Sequence, residues 1–282
     1  MKEIDIPKLL REIADPPKKL YLRGELPDPE EYLYIAFVGS RKFSSYGRDA
    51  CEEIIAGLAG QKVVIVSGLA IGMDSIAHRA AMKAGLATVA VPGSGLDRSV
   101  IYPAVNRPLA EEILKKGGAL LSEFEPKARA ALWTFPQRNR IMAGLCHGSV
   151  IIEATEKSGT LITARLALEY NRDVFAVPGS IFALGSVGPN ELLRVGATPL
   201  TKASDILDTY NLTPGTNQKL PLDLSQFTAL EAAVLESLIE SKTRDTLIDE
   251  LGLPVNEANT LLISMEMKGL IKESLGEIHR TG

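Results

Sequence analysis

The sequence predicts an α/β chain in which a doubly wound, mostly parallel sheet is followed by a small helical domain. Two observations carry this. Six short apolar runs without helical period, bounded by Gly or Ser, are each followed by a helix-length segment. Continuous Val/Ile runs belong to strands buried on both faces, and strands alternating with helices pair in parallel through right-handed crossovers.

Residues 1–31 form a short lead-in, since DPPKKLYLRGELPDPEE is rich in proline and charge and carries no sustained period. A short helix and a turn are expected there. The main domain spans 32–210, with strands in YLYIAFVGS (32–40), KVVIVSG (62–68), ATVAVPG (87–93), ALLSEF (119–124), SVIIEAT (149–155) and DVFAVPGS (173–180). Pro103 marks a first helical turn, and Gly85 and Gly117 mark helix C-terminal ends. NELLRVGATPL and ASDILDTY complete the sheet. Residues 211–225 mix Thr, Pro, Gly, Asn and Gln, as an interdomain linker does. In 226–282, FTALEAAVLESLIES, TRDTLIDELG and NEANTLLISMEMKGL read as three amphipathic helices, and IKESLGEIHRTG as a hairpin about Gly276. That order is a winged helix-turn-helix.

With 282 residues, 45% of them hydrophobic, the chain has enough apolar mass for one large core and a small second one. No apolar run approaches the roughly 20 residues that span a bilayer, and MKEIDIPKLLREIAD is too charged for a signal peptide. A cytoplasmic protein without membrane contact is expected. Cys51 and Cys146 read as buried thiols, with no disulfide framework, metal site or cofactor implied. The net charge of −4 argues against coating nucleic acid by bulk charge. Residues 219–282 hold 6 Lys+Arg against 11 Asp+Glu, a net of −5, which leaves +1 for residues 1–218. A polyanion site must therefore be a local pocket of the first domain, and a groove-binding role for the acidic winged helix is disfavoured against a protein contact.

Ligands of an open parallel sheet bind beyond the carboxyl ends of its strands. Those ends are rich in Gly and Ser: Gly39-Ser40-Arg41, then Ser67-Gly68, Pro92-Gly93-Ser94-Gly95 and Pro178-Gly179-Ser180. Small residues let backbone approach phosphate, and arginine supplies charge-assisted hydrogen bonds. Arg138, Asn139 and Arg140 precede the fifth strand, and Lys157 with Ser158, Gly159 and Thr160 follows it where a helix opens. Free N–H groups, hydroxyls and an ammonium would converge there on an anion, while ordinary helix capping is the competing reading.

The ordered blocks VGSR (38–41), SGLAIGMDSIAH (67–78), PGSGLD (92–97), YPAVNRPL (102–109), LLSEF (120–124), FPQRNRIMAGL (135–145), EATEKSGTLITA (153–164) and VFAVPGS (174–180) resemble the DprA (Smf) family of bacterial DNA-processing proteins over about residues 20–208. The resemblance implies a Rossmann-like domain that binds and protects incoming single-stranded DNA and loads the RecA recombinase in natural transformation. It also implies a homodimer without catalysis. Family DNA-backbone contacts correspond to Arg41 and Lys157; where some relatives carry a lysine after the Glu-Ala pair, this chain has Thr155.

Enzymatic readings compete. Ser67, Asp74 and His78 offer a nucleophile, acid and base, but no G-x-S-x-G elbow is present. Rossmann-like phosphoribohydrolases carry a Pro-Gly-Gly, Gly-Thr and Glu constellation that this chain lacks. A dinucleotide site is excluded because GxGxxG does not follow the first strand.

Overall fold

The six Val/Ile-rich runs all form strands. The computed structural model describes residues 1–212, 227–238, 242–274 and 277–280, and the chain divides into Met1–Asn217 and Gln218–Gly282. In the first unit the elements are β1 (Lys2–Glu3), α1 (Lys8–Arg11), β2 (Tyr21–Gly24), β3 (Leu33–Val38), α2 (Ser45–Ala56), β4 (Val63–Ser67), α3 (Met73–Lys83), β5 (Ala87–Ala90), α4 (Arg107–Lys115), β6 (Ala119–Ser122), α5 (Thr134–Leu145), β7 (Gly148–Ile151), α6 (Thr160–Glu169), β8 (Asp173–Ala176), α7 (Val187–Arg194), β9 (Thr198–Pro199) and α8 (Ala203–Thr209).

The strand order is β1-β2-β6-β5-β4-β3-β7-β8-β9. All neighbours from β6 to β9 pair in parallel, and β2 and β1 add antiparallel at the β6 edge. The chain winds outward from β3 to β6, then returns to place β7 on the other side of β3, with Ile35 opposite Gly148 and Val38 opposite Ile151. This reversal leaves a crevice between the carboxyl ends of β3 and β7.

Successive strand residues face opposite ways, so each strand feeds two cores. Tyr34, Ala36 and Val38 pack with Ile141, Met142, Ala164 and Ala167, from α5 and α6. Ile35 and Phe37 pack with Ile54, Ile55, Met73 and Ile206, from α2, α3 and α8. Helices thus cover both faces, as the unbroken apolar runs require. Gly85 and Gly117 end α3 and α4 at φ +69° and +80°, in the left-handed region expected of helix ends. Pro103 precedes a 3-10 turn, Ala104–Asn106, that runs into α4.

The lead-in differs from expectation. It holds α1 but also β1 and β2, and β2 pairs with β6 from Tyr21 opposite Ser122 to Gly24 opposite Ala119. Two arginines of the main domain hold this segment. Arg140 donates to the carbonyl of Asp15 at 2.7 Å and pairs with the buried Glu123. Arg172 donates to the carbonyl of Leu9 at 2.9 Å and meets Glu12 at 3.1 Å. Arg140→Ala should cost about 2 kcal/mol in denaturant unfolding, below the usual loss for a broken buried pair. Burial already pushes the Glu123 carboxyl up against the pull of Arg140, so without its partner Glu123 can take up a proton.

The second unit contains α9 (Ala229–Ser237), β10 (Lys242–Thr243), α10 (Arg244–Leu251), α11 (Val255–Met267), β11 (Ile271–Ser274) and β12 (Glu277–Arg280). The three helices and the hairpin lie where the sequence places them, and β10 joins as a third strand in the order β10-β12-β11. Val234, Leu247, Ala258, Leu262, Met265, Ile271 and Ile278 contribute to a separate core. Thr228 and Glu231 form a capping box on α9. The Lys268 ammonium, 2.6 Å from Glu231, helps draw that carboxyl down to about 2. The linker predicted at 211–225 lies outside the described residues from 213 onward, as does the turn at Gly276. Among the described residues no helix is long and apolar enough to cross a membrane.

Candidate functional site

A cleft of about 640 Å³ opens at the reversal point between β3 and β7. Its first wall follows β3. Gly39 has no room for a Cβ, which would lie 2.7 Å from Met73 Cγ, and the Met73 N–H donates to the Ser40 carbonyl at 3.1 Å. The Ser40 hydroxyl accepts from Lys42 N–H and donates to the Lys42 carbonyl. This two-way bond closes a tight loop with Arg41 at its tip. Gly72, at φ +85°, packs so close that a Cβ would sit 2.6 Å from Arg41 Cα. The Arg41 guanidinium lies 5.9 Å from the centroid of the Phe135 ring. Among the described residues neither Arg41 nor Lys42 forms an ion pair, so their charge is available to an anion.

The opposite wall follows β7. Glu153 is buried and accepts from the N–H and hydroxyl of Ser44 at 2.9 and 2.5 Å. Ser44 in turn caps α2 by accepting from Gly47 N–H. The start of α2 is thus filled by an internal carboxylate, whereas the start of α6 opens onto the crevice. Thr155, Ser158, Gly159 and Thr160 line the cleft there. The Ser158 hydroxyl accepts from Thr160 N–H at 3.2 Å within the turn, the N-cap residue is Gly159 with no side-chain cap, and a Cβ there would meet nothing within 4 Å. Lys157 is exposed on the preceding turn and is not part of the lining.

Arg138 and Asn139 form the floor. The Arg138 guanidinium is buried and donates to the carbonyls of Gly68 and Val91, at the ends of β4 and β5, and to Asn139 Oδ1 at 3.1 Å. A Cβ at Gly68 would collide with that guanidinium and displace it from its carbonyl partners. Asp74 lines the same floor and accepts from Ala70 N–H at 3.2 Å. Burial pushes its carboxyl up, against the charge of Arg138.

The structure therefore brings Gly39, Ser40, Arg41, Arg138, Asn139, Ser158, Gly159 and Thr160 into one cleft and leaves four candidates outside it. Arg140 points to the N-terminal segment, being consumed by Glu123 and Asp15. Ser67 is buried and donates to the Phe37 carbonyl at 2.7 Å. Gly68 serves Arg138 from behind, and Lys157 stands apart. Sequence reasoning did not select Lys42, Phe135, Ser44 or Glu153. The last two become visible only through contact, since 109 positions separate them. The grouping of Ser67, Asp74 and His78 is not assembled for catalysis. His78 Nδ1 bonds Thr88 Oγ1, which already donates to the Ile65 carbonyl, so Nδ1 is the donor of that bond, while Nε2 is buried with no partner among the described residues.

Burial lowers His78 to about 3. It also lowers His147, whose Nδ1 accepts from Tyr34 N–H at 3.1 Å. Both groups bind protons more readily in the unfolded chain, whose histidines titrate near 6.5. The stability each contributes is present above the unfolded value and is lost as pH falls below it, for His78 down to about pH 3. From pH 7 to 5, His78 alone should remove about 2 kcal/mol. Denaturant unfolding at the two pH values checks this, and His78→Gln should flatten most of the loss.

The sequence profile of the DNA recombination-mediator protein A family matches residues 1–211. The chain belongs to this family. The DNA processing protein DprA of Streptococcus pneumoniae is 44% identical over 198 residues, covering 70% of this chain and 68% of the relative. Protein Smf of Escherichia coli is 36% identical over 272 residues, 94% of this chain and 72% of the relative. The crystal structure of Streptococcus pneumoniae DprA superposes with a TM-score of 0.69 at 42% identity, over 73% of each chain. Helicobacter pylori DprA, whose structure was described for a unique single-stranded DNA binding mode, superposes with a TM-score of 0.67 at 32% identity, over 74% of this chain and 95% of that one. The Rossmann-like sheet and its crevice are thus those of a DprA-family core.

Proposed function

We propose that the chain is a non-catalytic single-stranded-DNA-binding protein that holds incoming DNA in the cleft between β3 and β7, protects it and passes it to RecA during transformation or recombination. The observation that carries this reading is the pairing of two cations, Arg41 and Lys42, that form no ion pair among the described residues, with Gly/Ser-rich backbone turns at the reversal point of the sheet. Such a lining recognises phosphates rather than base edges, so weak sequence preference is expected. Phe135, beneath Arg41, adds a flat apolar face beside the phosphate track. The Helicobacter pylori relative supports the choice of single-stranded DNA. RecA loading, a homodimer and a cytoplasmic setting rest on the family resemblance, and we read the acidic C-terminal unit as a winged helix engaged in protein contact.

Trp133 gives a direct test, being the chain's single tryptophan and 64% exposed two positions before Phe135. Titration with oligo-dT should quench its fluorescence, and duplex should do so far more weakly. AMP should be neither bound tightly nor cleaved. Hydrolysis of AMP would instead support the phosphoribohydrolase reading.

A further inference from the structure

Beyond β8 the chain exposes three large apolar side chains within four positions: Ile181 at 82%, Phe182 at 91% and Leu184 at 78%. The loop that carries them is well fastened. Asn190 bonds both the N–H and the carbonyl of Gly179, at 3.3 and 3.0 Å, and the Ser180 hydroxyl accepts from Phe182 N–H at 3.2 Å. On the far side, Ala154 N–H donates to the Gly185 carbonyl and Gly188 N–H to the Ala154 carbonyl, both at 2.8 Å. The lip is therefore tied to the residue directly before the Thr155–Thr160 turn of the cleft. Apolar side chains held outward by a fixed loop mark a contact surface.

Continuity with the cleft identifies the occupant. Leu184 and Gly185 line the same cleft as Arg41 and Lys42, so the lip adjoins the space open to a chain whose phosphates meet those two cations. We propose that Phe182, flanked by Ile181, is a stacking platform for nucleobases of a single strand whose phosphates occupy the cleft. This rests on the single-stranded-DNA reading above. A phenyl ring offers no hydrogen-bonding group, so it accepts any base, and it adds affinity without adding a counterion-releasing charge.

The test uses the full chain and fluorescence anisotropy with two labelled probes of equal length, oligo-dT and an abasic deoxyribose-phosphate oligomer. Wild type should prefer oligo-dT. Phe182→Ala should weaken oligo-dT binding about tenfold, leave the abasic oligomer unchanged and keep the salt slope, while Phe182→Tyr should restore wild-type affinity. Equal losses on both probes, or an unchanged oligo-dT affinity, would overturn the platform. If the silent Phe182→Ala also dissociated an oligomer in sedimentation, the lip would belong to a second copy instead. Wild-type protein that binds neither probe would overturn the single-stranded-DNA reading itself, an outcome distinct from a silent Phe182→Ala in a protein that binds.

Discussion

Arg41→Glu should reduce single-stranded-DNA affinity by about a hundredfold at low salt while leaving the fold intact. A hydrogen bond to a charged group contributes roughly 1.5–3 kcal/mol, and a carboxylate in its place repels the phosphate that the guanidinium would attract. The salt slope should fall by about 0.7, the counterion release of one phosphate on a single strand. Stability should change little, because Arg41 is exposed and its ring contact with Phe135 contributes only about 0.5–1 kcal/mol. Lys157→Glu makes the comparison sharper. That side chain lies outside the cleft lining, and a carboxylate near the start of α6 favours the helix by roughly 0.3–1 kcal/mol. Its affinity loss should be much the smaller of the two, with melting temperature level or slightly raised. Folded Arg41→Glu protein with wild-type affinity and slope would move the phosphate site off this loop.

The central sheet was legible because its strands are buried on both faces, which forces unbroken runs such as VVIVS in β4 and LYIAFV in β3. The edge was not. β2 spells YLRG inside a segment of prolines and charges, and its pairing depends on β6, about a hundred residues away. Nothing local distinguishes such a strand from a turn. The cations that bind the lead-in to the sheet, Arg140 and Arg172, are equally remote from it in sequence.

The site was legible as a set of turns but not as a set of directions. Parallel topology carries every βα turn to one edge, so Gly39-Ser40-Arg41 and Ser158-Gly159-Thr160 had to converge. In the run Arg138-Asn139-Arg140, however, neighbours on a helix point about 100° apart. Arg138 consequently faces the cleft floor, whereas Arg140 faces Glu123 and Asp15. The choice between them is made by carbonyls and carboxylates that the local sequence does not contain.

Arg138→Met should therefore act on stability before it acts on binding, lowering unfolding free energy by about 3–5 kcal/mol. The Arg138 guanidinium is buried and joins the ends of β4 and β5 by donating to the carbonyls of Gly68 and Val91. Methionine fills part of the volume but donates nothing, so both carbonyls lose their guanidinium partner. The neighbouring Asp74, pushed up by burial, also loses the cation that opposes the shift; its protonation limits the cost without restoring the bonds. Arg138→Lys should recover only part of the loss, because both carbonyls accept from the single Nη1, which an ammonium can replace, whereas the Nε–H bond to Asn139 Oδ1 is lost. Denaturant unfolding of the three proteins at pH 7 decides the matter. Near-wild-type stability of Arg138→Met with a large affinity loss would reassign this arginine from the architecture of the cleft to direct contact with DNA.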